Sequence, residues 1–124
     1  MIPVTQTAFG EVGNCFSACL ASLLHLPIDQ VPYFMEQGKW YERAQAWLRR
    51  RGLYLVAFHY GAWEPPGYYV LGGTSPRSTR PQDKHAVVAF GSEMIHDPHP
   101  SRAGLTSRDD MMVLVPLDPS AVRQ

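Results

Sequence analysis

The chain reads as α+β, with helices first and an antiparallel sheet after them, rather than as alternating strands and helices. Up to about residue 52 the apolar residues fall at helical spacing. From residue 53 onward they come in short runs bounded by Gly, Pro, Asp and Ser, the pattern of strands and turns. The length fits a single fold: 124 residues, 45% apolar and 18% charged, supply one core and one domain spanning 1–124.

Residues 1–13 form an irregular lead-in broken by Pro3, Gly10 and Gly13. The stretch CFSACLASLLHL is apolar on almost every side, which marks a buried helix. Asn14 offers an N-cap that starts this helix near Cys15, and Pro27 ends it. Asp29 can cap a second, shorter helix over residues 30–37. In WYERAQAWLRRRG, Trp40, Tyr41, Ala44, Trp47 and Leu48 keep helical spacing up to a stop at Gly52. LYLVAFHY (53–60) and GYYVLGG (67–73) then read as strands, and GTSPRSTRPQDK (73–84) as a polar loop. HAVVAFG (85–91) is a buried strand, and SEMIHD (92–97) a short return strand turned at Gly91 and Ser92. A turn region, DPHPSRAG (97–104), leads to a closing strand, MMVLVPL (111–117). The three tryptophans, Trp40, Trp47 and Trp63, are expected in the core or in the wall of a groove. The sequence holds no internal repeat and no low-complexity tract.

Charge narrows the classes of partner. Lys plus Arg equals Asp plus Glu at 11 each, so nothing favours nucleic acid or an anionic membrane surface. Arg49, Arg50 and Arg51 read as solvated surface. No apolar run approaches the roughly 20 residues that a membrane span needs. The first 15 residues, MIPVTQTAFGEVGNC, lack the basic and apolar regions of a secretory signal. Cys15 and Cys19 would sit one turn apart on a helix, poor geometry for a disulfide. Free thiols and a reducing, cytoplasmic setting are therefore expected.

A cysteine nucleophile acts as a thiolate, which a helix N-terminus and a neighbouring imidazolium both favour. Cys15 stands where the buried helix should begin. It also needs a base on a rigid element, and a third group to orient that base. His85 opens an apolar strand, where an unpartnered imidazole would be costly. Asp97 ends the short strand that should pair with it. If the two strands form a hairpin, Asp97 lies beside His85 and can fix its tautomer. If Asp97 only orients His85, Asp97→Asn should leave the fold nearly unchanged.

These residues resemble papain-like cysteine peptidases. GNCFSACLASLL, then HAVV, then a strand ending in Asp-Pro, is most similar to the small bacterial branch that includes the bacteriocin-leader peptidase domains of export ATPases. The run Gly13-Asn14-Cys15-Phe16 also resembles the ovarian-tumour-type deubiquitinases. The resemblance covers residues 6–24 and 85–98. It implies a minimal papain-like fold, Cys15 as nucleophile, His85 as base and Asp97 as orienter. It also implies Gln6 as the oxyanion-hole glutamine, beside the backbone N–H of Cys15.

The implied activity is hydrolysis of an amide, isopeptide or thioester bond in a peptide or protein substrate, with no cofactor. Two alternatives stay open: acyl transfer on the same triad, as in transglutaminases, and a non-enzymatic binding or accessory protein that keeps the fold. Arg77 and Arg80, in the loop just before His85, are weak candidates for gripping a substrate carboxylate. Cys15, Cys19, His96 and His99 can also be read as a zinc set. However, two ligands within one helix at CxxxC spacing suit a structural site poorly, and no metal is expected. Cys19, one turn into the helix, reads as core.

Overall fold

The computed structural model describes residues 1–9, 13–36, 38–77, 84–118 and 120. Helix α1 (Cys15–Leu24) is buried without interruption from Phe16 to Ser22, as its all-round apolar surface requires. Asn14 precedes it but makes no side-chain bond to its first turn, so the expected cap is absent. Its carboxamide is used elsewhere, as described below. The helix closes two residues before Pro27. His25 takes a left-handed conformation (φ 59°) and its N–H donates to the Ala21 carbonyl, a role usually given to glycine.

The helix expected over 30–37 is replaced by two short 3₁₀ turns, Ile28–Gln30 and Phe34–Glu36. Pro32 is the cause. It drives Val31 into the extended region (φ −110°, ψ 123°), and a helix cannot pass through that residue. Asp29 lies in the first turn but makes no cap bond there.

Helix α2 (Trp40–Arg49) buries Ala44, Gln45 and Leu48. Gly52 stops the chain at φ 76°. Arg49, Arg50 and Arg51 are exposed. Two of the three still lie over aromatic rings, Arg51 on Trp47 at 4.5 Å and Arg49 on Tyr54 at 5.6 Å.

Five strands follow: β1 (Leu53–His59), β2 (Tyr68–Thr74), β3 (Lys84–Phe90), β4 (Glu93–His96) and β5 (Asp110–Pro116). They form one antiparallel sheet in the order β1-β5-β2-β3-β4. Each strand lies within one residue of its sequence-predicted start, and the architecture is α+β with the helices packed on the sheet.

Alternation along the strands sends side chains to two faces. Leu55, Val70, Val88 and Met112 meet Phe16, Leu20, Phe34 and Leu48 on the helix side. Tyr69, Leu71, Val87, Met111 and Val113 build a second cluster on the other side, with Phe58, Tyr60 and Leu105 packed against it. Trp63 belongs to neither core; it is 47% exposed and only leans on Phe58.

Strand β1 is an edge, and its backbone needs a partner away from β5. Gln45 provides one. Its carboxamide donates to the Leu55 carbonyl (2.7 Å) and accepts from the Leu55 N–H (2.8 Å), clamping α2 to the sheet.

Candidate active site

The site is assembled from three elements and one tether. Cys15 is the first residue of α1 and is half-buried, at a helix end whose leading N–H groups have no partner within the helix. His85 is the second residue of β3 and is 5% exposed. Asp97 directly follows β4, which pairs with β3 through Val88↔His96. The hairpin predicted from HAVVAFG and SEMIHD is therefore present. A register shift between Val88 and Ala89 bends it on the way to Asp97.

The tether is the N-terminal lead-in. The Asn14 side-chain oxygen accepts the N–H groups of Thr7 and Ala8 (2.9 Å each), and its amide donates to the Thr7 hydroxyl (2.8 Å). Farther back, Ser22 accepts the Val4 N–H through its hydroxyl (3.0 Å). The same segment reaches across to the turn after β4. The Gln6 N–H donates to the Pro98 carbonyl (2.9 Å), His96 Nε2 donates to the Val4 carbonyl (2.8 Å), and Arg102 donates to Thr5 (3.1 Å). Residues 2–8 thus sew the head of α1 to the Asp97 turn.

Within the site, His85 Nε2 lies 2.6 Å from Asp97 Oδ1. With Nε2 committed, Nδ1 is the ring nitrogen left for the Cys15 thiol, which also hydrogen-bonds the ring. Burial disfavours the imidazolium, but the hydrogen bonds to Asp97 and Cys15 outweigh it and raise the His85 pKa to about 9. Asp97 is 1% exposed, and burial alone would push its pKa up. The bonds from His85, from the His99 N–H (2.9 Å) and from the Gly104 N–H (2.7 Å) hold it down at about 2. Cys19 is fully buried; desolvation, with the nearby Cys15 and Asp97, raises its pKa and leaves it a core thiol.

A cleft of about 270 Å³ opens beside Cys15 and His85. Phe16, Met35, Trp40 and Tyr41 wall it on the helix side. Its floor is the end of the sheet where the helix-facing positions are small: Ala57, Gly72 and Ala86. Larger side chains at Leu55, Val70 and Val88 fill the rest of that face. Space is left where β1 and β2 end and β3 begins, next to the thiol.

The other candidates are placed as follows. Gln6 is buried (5% exposed) and its amide donates to the Ala8 carbonyl (2.9 Å), while its Oε1 has no partner among the described residues. It does not line the cleft. Arg77 is exposed and donates to the Ser101 hydroxyl (3.2 Å), so it lies against the turn that follows Asp97. Arg80 lies outside the described residues. The zinc set is not assembled. His96 is engaged by Val4, His99 Nδ1 accepts the Ser101 N–H (3.0 Å), and Cys19 is sealed in the core. Among the described residues no three His, Cys, Asp or Glu side chains converge as a metal-binding group.

Three features of the site carried no usable signal in the sequence. Asn14 looks like an ordinary cap. Gly104 looks like a turn glycine, yet its N–H holds Asp97. His99 packs its ring edge-on to His85, with centroids 6.3 Å apart, and to Phe9 at 5.3 Å. Asn14 and Gly104 meet partners six or seven residues away and His99 meets His85, contacts that no helix or strand pattern encodes.

Set against known proteins, the chain matches no family model, no curated protein and no solved structure.

Proposed function

We propose that this chain is a thiol-dependent hydrolase of papain-like type, acting on an amide, isopeptide or thioester bond of a peptide or protein. The observation that carries this reading is the line Cys15, His85, Asp97, whose first two members border a cleft. A structural cysteine at a helix start needs neither a buried imidazole nor a carboxylate behind it. A nucleophile needs both.

In the proposed cycle, His85 holds the Cys15 proton as an imidazolium and the thiolate attacks the substrate carbonyl. The tetrahedral oxyanion is met by the N–H of Cys15 at the head of α1. Gln6 is a second donor in this proposal, through the amide hydrogen not used by Ala8. The imidazolium then gives its proton to the leaving amine or thiol, and a thioester forms on Cys15. Water, losing a proton to His85, attacks that thioester. The acid departs and the thiol is restored. Asp97 keeps Nε2–H pointed at itself, so that Nδ1 always faces the sulfur.

Hydrolysis of a series of acyl thioesters by the wild type, Cys15→Ala and His85→Ala tests the reading. Turnover that both changes abolish supports it. Equal turnover in all three would overturn it. If added amines divert the acyl group from water, the reaction is acyl transfer on the same residues.

A further inference from the structure

The cleft beside Cys15 is walled largely by apolar side chains, but an exposed carboxylate stands at its edge. Asp110, the first residue of β5, pairs with Gly72 in register and lines the cleft with it. A Cβ at Gly72 would lie 4.0 Å from Asp110 Oδ2, so the carboxylate borders the gap that the glycine leaves. Among the described residues that carboxylate makes no hydrogen bond and no ion pair. Its neighbour Asp109 is paired at 2.5 Å with Lys84, the cation of the same rim.

Resting on the thiol-hydrolase reading, we infer that Asp110 makes this cleft select a long side chain with an apolar stem and a cationic head, arginine or lysine, on the residue whose carbonyl Cys15 attacks. Size, wall and charge agree. A volume of about 270 Å³ is below the range of roughly 300–1,000 Å³ typical of small-molecule sites and suits one amino-acid side chain. The rings of Trp40 and Tyr41 and the thioether of Met35 cover a methylene stem, and aromatic faces also favour a cation.

The local charge points the same way. Lys84 and Asp109 cancel each other. The imidazolium of His85 is balanced by Asp97. Among the described residues lining the cleft, Asp110 is then the uncompensated group. Arg77 and Arg102 bond to the turn after β4 and do not line the cleft. An acidic side chain entering here would meet Asp110 unpaired, which builds selectivity by repulsion as well as attraction.

Two measurements test this. The first is kcat/KM for N-acetyl-aminoacyl thioesters of arginine, lysine, norleucine and glutamate. The expected order is arginine and lysine above norleucine, with glutamate last. Asp110→Asn should lower the arginine-to-norleucine ratio about tenfold, and Asp110→Lys should reverse the preference towards glutamate. A ratio unchanged in a folded Asp110→Asn protein overturns the inference and leaves the hydrolase reading standing. The second is calorimetric binding of N-acetyl-arginine amide and N-acetyl-norleucine amide to Cys15→Ala, with and without Asp110→Asn. Asp110-dependent binding of the arginine ligand supports the cation site even if no thioester is hydrolysed, in which case only the hydrolase reading falls. Equal binding of the two ligands in the presence of Asp110 overturns the cation site.

Discussion

At the scale of single residues, the two cysteines of α1 have the same side chain and opposite surroundings. Cys15 is half-buried at the helix head and shares a hydrogen bond with His85. Cys19, one turn on, is fully enclosed. Iodoacetamide should therefore modify Cys15 in the native protein and reach Cys19 only on unfolding, as peptide mapping by mass spectrometry would show. His85→Ala should slow Cys15 labelling at neutral pH by about tenfold or more, because the imidazolium that stabilises a thiolate is gone. Equal labelling of the two cysteines would contradict this.

Asp97 does more than face His85. Its two oxygens receive His85 Nε2–H, the His99 N–H and the Gly104 N–H. An asparagine has one acceptor oxygen and cannot serve both sides. The expectation that Asp97→Asn leaves the fold untouched is therefore replaced by a double effect. Stability should drop by about 1–3 kcal/mol, the cost of buried donors left unpaired. Turnover on any thioester that the parent hydrolyses should fall roughly 10- to 1000-fold, as the histidine loses its orienting carboxylate. Thermal melting and steady-state kinetics on one purified variant read both. Full activity in the folded variant would remove Asp97 from the catalytic set.

At the scale of elements, adjacent glycines of β2 have different tasks. A Cβ on Gly73 would stand 1.9 Å from the Ser107 carbonyl oxygen, so the segment before β5 can lie against β2 only because nothing is there. A Cβ on Gly72 would meet nothing nearer than 3.9 Å. Neither glycine has a positive φ, so the contrast is one of space and not of backbone strain. Gly73→Ala should cost about 3 kcal/mol or more, in the manner of an overpacked core. Gly72→Ala should be neutral, or stabilising by up to about 1 kcal/mol, since glycine in a strand costs entropy. Urea denaturation of the two variants checks the pair. The Gly72 variant should narrow the cleft and weaken turnover without unfolding the protein.

For the whole molecule, the buried pair His85–Asp97 links stability to pH. His85 is raised from 6.5 to about 9 on folding, so its share of stability is complete below pH 6.5 and is lost as pH rises through about 9. Asp97 is lowered from 3.8 to about 2, so its share is complete above pH 3.8 and is lost as pH falls through about 2. The pair therefore contributes fully between pH 3.8 and 6.5. The melting-temperature difference between the wild type and His85→Gln should be widest in that window and should shrink towards alkaline pH. A difference that stays flat from pH 6 to 10 would show that no proton is linked at this pair.

The sequence by itself determined what is local. The apolar run after Cys15 specifies a buried helix, and the alternating runs from residue 53 onward specify strands. HAVVAFG-SEMIHD specifies a hairpin that brings Asp97 to His85 through chain connectivity alone. The order of Cys15, His85 and Asp97 was legible for the same reason, since each sits at the end of an element that short-range pattern defines. Tertiary structure decided what depends on distant partners. Asn14 became a clasp for the lead-in instead of a cap, and Val31 before Pro32 split the second helix into two turns. Gly73 made room for Ser107, and Gly72, Ala57 and Ala86 met across three strands to open a cleft. A carboxylate at Asp110 is one acidic residue in a string of letters. It acquires a meaning only where β5 lies beside β2 and sets it at the edge of a cleft, because what a charge does depends on which groups surround it.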